Sequence, residues 1–99
     1  MKLVYSQRAV ADLNEIAEYY TTKASPAISQ SIQRRFADII DRICRTPESA
    51  PRVTQRSDVR VVTVVRYPFR IFYRVRGDTV DILHIRHTSR RPPAIADPE

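Results

Sequence analysis

Ninety-nine residues with a net charge of +6 indicate one small, basic domain, because the chain is too short to bury two cores. With 42% hydrophobic and 28% charged residues, the composition excludes a disordered chain, and no apolar run approaches the roughly 20 residues of a membrane span or the hydrophobic region of a signal peptide. The single cysteine, Cys44, excludes an intrachain disulfide and a thiolate zinc cluster, so we expect a cytoplasmic domain spanning 1–99, with 92–99 as a flexible tail.

The chain is predicted to begin with a strand that leads directly into a helix. Lys2 to Tyr5 is short and β-prone, and Ser6 follows it as a helix N-cap. From Arg8 to Lys23 apolar residues recur at helical spacing, which predicts an amphipathic helix. Its apolar stripe is formed by Val10, Leu13, Ala17 and Tyr20.

A second helix is predicted after a very short connection. Ser25 is an N-cap, Pro26 suits the first helical position, and Thr46-Pro47 ends the helix. The apolar stripe of this helix consists of Ile28, Ile32, Phe36, Ile39, Ile40 and Ile43. Two such helices should run antiparallel and offer a shared apolar face. Cys44 lies beside the stripe, which favours a buried structural thiol over a nucleophile.

The second half predicts three antiparallel strands after a connecting loop at 48–57. The strands are expected at Val59–Val65, Phe69–Val75 and Thr79–His87, joined by short turns at 66–68 and 76–78. The predicted fold is therefore α+β, of order β-α-α-β-β-β, with the helical hairpin packed on one face of a mainly antiparallel sheet.

Alternation along these strands predicts a second sheet face that mixes arginines with apolar residues. On the middle strand Phe69, Ile71, Tyr73 and Val75 are expected to face the helices. The opposite face is expected to combine Arg60, Val62, Val64, Arg70, Phe72 and Arg74. An apolar strip edged by arginines is typical of a surface that binds protein or nucleic acid.

The positive charge is concentrated in the same half. Residues 1–49 carry seven Lys/Arg against six Asp/Glu, whereas residues 50–99 carry ten against five. Every basic residue of the second half is arginine, whose planar fork suits phosphates and carboxylates. This distribution indicates directed recognition of an acidic partner.

Candidate chemistry is limited to one end of the sheet, where Arg70, Arg86, His87, Arg90 and Arg91 are expected to lie. A histidine beside arginines could cleave RNA through its 2′-hydroxyl without metal, or the same set could hold a partner's carboxylates. Because no second acid–base group is evident, simple binding is favoured. His84 and His87 fall on opposite faces of a strand, and one glycine cannot build a glycine-rich phosphate loop, so neither metal nor organic cofactor is expected.

Three segments resemble the ParE/RelE superfamily of toxins from bacterial type II toxin-antitoxin modules. Residues 66–75, RYPFRIFYRV, are similar to the "YPYRIFYRV" strand of ParE-like members. Residues 80–83, VDIL, followed by Arg86-His87 and Arg90-Arg91-Pro92, are similar to the last strand and its "LHGAR" continuation. Ser6 to Tyr20 is similar to the opening "SPRALADLEEIYDY", with Gln7 in place of the usual proline.

The superfamily implies one of two activities: inhibition of DNA gyrase, or cleavage of messenger RNA at the ribosome. The charged cleavage residues of the RelE branch correspond to Val61 and Thr63, and its C-terminal catalytic tyrosine to Ala96, so these are lost. Arg70 and Arg90 match, and His87 approximates the acid–base histidine of the YoeB-like branch, which leaves Arg70, His87 and Arg90 as the alternative catalytic set. The departures favour a ParE-like, non-nucleolytic gyrase inhibitor over a ribosome-dependent endonuclease.

The resemblance also implies a cognate ParD-like or RelB-like antitoxin, whose acidic C-terminal segment folds over the toxin to form a hetero-oligomer. The six residues of the mixed face are the expected antitoxin contacts, and Arg86, His87, Arg90 and Arg91 are the expected target contacts. A non-toxic nucleic-acid-binding or scaffold protein on the same fold is the alternative from another class.

Overall fold

A five-stranded sheet with two helices forms the domain, seen in a computed structural model that describes residues 2–53, 56–64 and 66–88. The elements are β1 (Lys2–Tyr5), α1 (Gln7–Lys23), α2 (Pro26–Arg45), β2 (Arg52–Val53), β3 (Arg56–Thr63), β4 (Phe69–Arg76) and β5 (Thr79–His87). The strand order is β1-β5-β4-β3-β2, with β1 parallel to β5 and the other described pairs antiparallel. The predicted α+β class and element order are confirmed, and β2 is an addition within the predicted loop.

Both helices begin at the predicted caps. The Ser6 hydroxyl accepts a hydrogen bond from the Ala9 amide at 2.9 Å, and the Ser25 hydroxyl accepts one from the Ile28 amide at 3.2 Å. The predicted apolar stripes of the two helices include too many residues, since Val10 and Ile28 are each 46% exposed. Neither helix in the described part of the chain has the length and hydropathy needed to cross a membrane.

The core lies between α2 and the sheet face that we call the helix face. Phe36 of α2 meets Phe69 of β4 edge to face at 5.6 Å between ring centroids. Cys44 is half-buried and packs against the core, in keeping with a structural thiol. The buried apolar residues of α2, β4 and β5 are Ile32, Phe36, Ile39, Ile40, Ile43, Phe69, Ile71, Tyr73, Val80, Ile82 and Ile85.

The register of β3 against β4 overturns half of the predicted mixed face. Thr63 pairs with Arg70, Val62 with Ile71 and Arg60 with Tyr73. Arg60 and Val62 therefore lie on the helix face, and Val64 is buried in the core at 1% exposure. Only Arg70, Phe72 and Arg74 remain together on the opposite face.

The cause of this error is the length of the β3–β4 connection. A three-residue turn at 66–68 would pair residue 65 with 69, with three residues between the paired positions, whereas the observed pairing of 63 with 70 leaves six residues between them. The number of residues between the paired positions is odd in the predicted turn and even in the observed one. Changing it from odd to even shifts the register by an odd number of residues, so each β3 side chain lies on the opposite face from the one predicted.

A β-bulge between β4 and β5 sets which β5 residues are buried. Phe72 pairs with His84, but the next β4 residue, Tyr73, pairs with Ile82. The extra residue, Leu83, allows Ile82 and Ile85 to face the core although they are three apart. His84 consequently lies on the side away from the helices and His87 on the helix face, as the spacing predicts.

Candidate functional site

The sheet side away from the helices, which we call the outer face, carries most of the candidate residues. At the β5 edge, Asp12 of α1 reaches this side of the sheet and contacts His84. Strand pairing places here Val59, Val61 and Thr63 of β3, Arg70, Phe72, Arg74 and Arg76 of β4, and Asp81, His84 and Arg86 of β5.

At one end of the outer face, the arginines are paired with aspartates of the same chain. The guanidinium of Arg76 donates two hydrogen bonds to the Asp81 carboxylate, at 2.5 and 3.2 Å. Arg74 lies 3.6 Å from Asp81 and 3.7 Å from Asp58. The hydrogen bond from Arg76 holds the pKa of Asp81 below its ordinary value, against the opposing effect of burial. Arg74, a predicted antitoxin contact, is thus already ion-paired.

The other end carries positive charge toward solvent. Arg70 is exposed and lies directly opposite Arg86 of β5. Like charges on directly paired residues are unfavourable. Arg70 makes no hydrogen bond or ion pair to another described residue. This end of the outer face is therefore the one suited to an acidic partner.

Arg60, in contrast, is a structural residue. Its guanidinium donates hydrogen bonds to the carbonyl oxygens of Ala50 at 2.7 Å and Glu48 at 3.2 Å. The neighbouring Tyr73 hydroxyl donates to the carbonyl of Pro47 at 2.6 Å. Burial raises the pKa of Tyr73, so its hydroxyl stays protonated as a donor. Together they hold the segment after α2 on the sheet edge.

The structure reveals a buried acid–histidine pair that the sequence did not indicate. Beyond the end of β1, α1 runs beside β5, and the Asp12 carboxylate accepts a hydrogen bond from the Ile85 amide at 2.9 Å. The same oxygen lies 3.3 Å from Nδ1 of His84. Burial opposes ionisation, but the bonds from His84 and Ile85 hold the pKa of Asp12 below its ordinary value. No local signal links residues so distant in the chain.

The predicted target-binding residues do not form one surface. Arg86 is on the outer face, whereas His87 is on the helix face with its ring 5.1 Å from that of Phe69. Arg90 and Arg91 lie outside the described residues. The alternative catalytic set is divided in the same way, since Arg70 and His87 belong to opposite faces and Arg90 is not described. Among the residues that are described, no three His, Cys, Asp or Glu side chains cluster as metal ligands.

Comparison with known proteins identifies relatives over most of the chain. The family model described as "ParE toxin of type II toxin-antitoxin system, parDE" matches residues 3–92. A solved structure of the chromosomal ParDE toxin-antitoxin system from P. aeruginosa is similar at 26% sequence identity and a TM-score of 0.78, covering 88% of this chain and 95% of that one.

Two further solved structures share the fold. The intact E. coli RelBE toxin-antitoxin complex has a TM-score of 0.59 at 13% identity, covering 91% of this chain and 98% of that one. The isolated E. coli RelE toxin has a TM-score of 0.58 at 13% identity, covering 91% and 86%. No curated protein matches the chain by sequence.

Proposed function

This chain belongs to the ParE toxin family of type II toxin-antitoxin systems, and we propose from that premise that it inhibits DNA gyrase when free and is silenced when an antitoxin binds it. The observation that carries the proposal is the family match over residues 3–92, supported by the similarity to the P. aeruginosa ParDE structure along nearly all of both chains. We further propose that the protein acts in the cytoplasm, where gyrase works.

The outer face supplies the features that an acidic antitoxin segment needs. Arg70 and Arg86 provide charge, and Val61 and Phe72, which pair with each other across β3 and β4, provide half-buried apolar contact between strands. An amphipathic antitoxin helix could place apolar anchors on this strip and carboxylates toward the two arginines. Arg60, Val62 and Val64 leave the proposed contact set because they face the helices.

A supercoiling assay with purified gyrase tests the proposed target. We expect the free protein to block supercoiling and to accumulate cleaved DNA, and the cognate antitoxin to restore activity. Toxin that arrests growth in cells but neither inhibits gyrase nor traps a cleavage complex at the same concentration contradicts the proposal.

The ribosome-dependent nuclease receives less support from the geometry. Cleavage through Arg70 and His87 requires both side chains at one phosphate, yet strand pairing assigns them to opposite faces. Toeprinting on translating ribosomes separates the two activities, since codon-specific cuts would establish the nuclease. Induced expression without the antitoxin tests the remaining alternative, because harmless accumulation indicates a non-toxic protein on the same fold.

A further inference from the structure

β1 is an edge strand whose apolar side chains are exposed. It pairs with β5 on one side and with no other strand in the described part of the chain. Leu3, Val4 and Tyr5 are 40%, 45% and 37% exposed, so one short strand holds three of the six large hydrophobic residues that are exposed among the described ones. An edge strand with exposed apolar side chains is a template for pairing with a further strand.

The free edge of β1 also presents unpaired backbone groups. The Lys2 amide donates to the carbonyl of Asp78 at 2.8 Å, and the Ser6 amide donates into β5 at 3.0 Å. In a parallel pair, residues alternate between directing both backbone groups at the neighbouring strand and directing both away from it. Leu3 and Tyr5 are out of phase with Lys2 and Ser6, so their amides and carbonyls point away from β5. No described residue bonds to these four groups.

These backbone groups are complementary to a second copy of themselves. If two copies of β1 lie antiparallel with Val4 on the two-fold axis, Leu3 of each copy is opposite Tyr5 of the other. The amides and carbonyls of these two residues then form about four hydrogen bonds between the strands. Lys2 is opposite Ser6 of the second copy, so no like charges are paired.

The same register covers the exposed side chains on both faces of the sheet. Leu3 and Tyr5 pair with Val80 and Ile82 of β5, which are fully buried, so both lie on the helix face, and Val4 lies on the outer face. Two copies would therefore place Leu3 beside Tyr5 twice on the helix face and Val4 beside Val4 on the outer face. Cross-strand pairs of aromatic and aliphatic side chains stabilise antiparallel sheets. A second copy supplies this match by symmetry.

We propose that β1 pairs antiparallel with β1 of a second copy of this chain, which joins two five-stranded sheets into one continuous sheet. The interface is small, and interfaces that bury less than about 1,200 Å² in total are typically weak and transient. We therefore expect a dimer with a dissociation constant between about 1 µM and 1 mM. The inference rests on the β1 edge alone and does not depend on gyrase as the target.

Disulfide trapping of the free, full-length protein tests the register. In a Cys44→Ala background, Val4→Cys places two thiols on residues whose Cα atoms are about 4.5 Å apart, which a disulfide can bridge. Ile28→Cys is the matched control, because Ile28 is 46% exposed but lies in the first turn of α2. We expect Val4→Cys to cross-link at least about ten-fold faster, since pairing raises the local thiol concentration. Equal rates indicate random collision and overturn the proposal.

Charge substitutions at Val4 test the pairing at equilibrium. Val4→Lys and Val4→Glu each place like charges opposite one another on the two-fold axis, so either variant alone should be monomeric. An equimolar mixture of the two should dimerise again, which also shows that both variants are folded. Sedimentation equilibrium at up to about 1 mM protein and about 0.15 M salt, which screens the repulsion between copies of charge +6, provides the measurement.

Three results of the sedimentation experiment would overturn the proposal. An unmodified protein that stays monomeric over the whole range lacks the dimer. A mixture of Val4→Lys and Val4→Glu that stays monomeric while the unmodified protein dimerises places the interface elsewhere. A monomeric free protein whose antitoxin binding is weakened by Val4→Lys, and not by Ile28→Lys, assigns the edge to the antitoxin instead.

Discussion

At the scale of single residues, Gly77 shows how one backbone conformation fixes a turn. It begins the two-residue turn between β4 and β5 with a φ of 59°, a region that side chains with a Cβ rarely adopt. An added Cβ would have no neighbour within 4 Å, so any cost of substitution is purely conformational. Gly77 lies in the turn predicted at 76–78 between two β-rich segments.

Replacing Gly77 with alanine should lower the free energy of unfolding by about 1 kcal/mol, since alanine must adopt the left-handed conformation. Gly77→Asn should cost less, because asparagine tolerates that region. Urea denaturation of both variants provides the measurement. Equal stability of Gly77→Ala and the unmodified protein would show that the turn relaxes.

Asp81 should link the stability of the fold to acid pH. Because the pKa of Asp81 is lowered in the folded state, its carboxylate stabilises the fold at pH values above 3.8, the ordinary pKa of an aspartate. This contribution is lost as the pH falls below 3.8. Asp81→Asn should lower the free energy of unfolding by about 1–2 kcal/mol at pH 7 and flatten its decline below about pH 4.

Asp41→Asn is the matched control for Asp81→Asn. Asp41 pairs with Arg45 on the exposed surface of α2, where an ion pair contributes at most about 0.5 kcal/mol. Urea denaturation from pH 7 to pH 3 compares the two variants. A control that loses as much stability as Asp81→Asn would show that the ion pairs of the buried Asp81 carboxylate are not the cause.

At the scale of elements, α1 protects the edge of β5 beyond the end of β1. The Ile85 amide would be an unpaired strand edge, and Asp12 accepts its hydrogen bond. Asp12→Ala should therefore lower the free energy of unfolding by about 2 kcal/mol, as expected when a buried amide loses its acceptor. Glu15→Ala, an exposed change one turn further along α1, should stay within about 0.5 kcal/mol. Thermal or urea denaturation decides, and equal losses would refute the edge-capping role.

Features that are specified by neighbouring residues were predicted correctly. Features that depend on the pairing of distant segments were not. Ser6 and Ser25 mark the helix starts by their own chemistry, and β5 has the predicted bounds. Which β3 residues face the helices depends on the length of the connection to β4, and no residue in that connection indicates its length. The Asp12–His84 pair and the bulge at Leu83 likewise result from packing between segments far apart in sequence.

At the scale of the whole molecule, Arg70 on the outer face and Arg60 on the helix face are expected to affect binding and stability separately. Arg70→Ala should leave the free energy of unfolding within about 0.5 kcal/mol and weaken antitoxin binding about ten-fold, because it removes an exposed charge from the proposed interface. Arg60→Ala should do the reverse, costing about 1–2 kcal/mol of stability through its lost bonds to Glu48 and Ala50.

Calorimetric titration with the antitoxin, paired with urea denaturation, measures both effects of these arginine variants. The assignment of faces fails if Arg60→Ala weakens binding more than Arg70→Ala while remaining fully folded. Binding of the unmodified protein should also weaken as salt is added, since exposed charge is screened over about 8–10 Å.

The parallel pairing of β1 with β5 ties the two ends of the sheet together. Lys2 pairs with Thr79 and Tyr5 with Ile82, so β1 has its described partner in β5, the last described strand of the chain. Loop closure over such a separation is slow compared with formation of the helical hairpin. The helical hairpin can therefore form before β1 is paired, and the complete sheet requires β5 to be present.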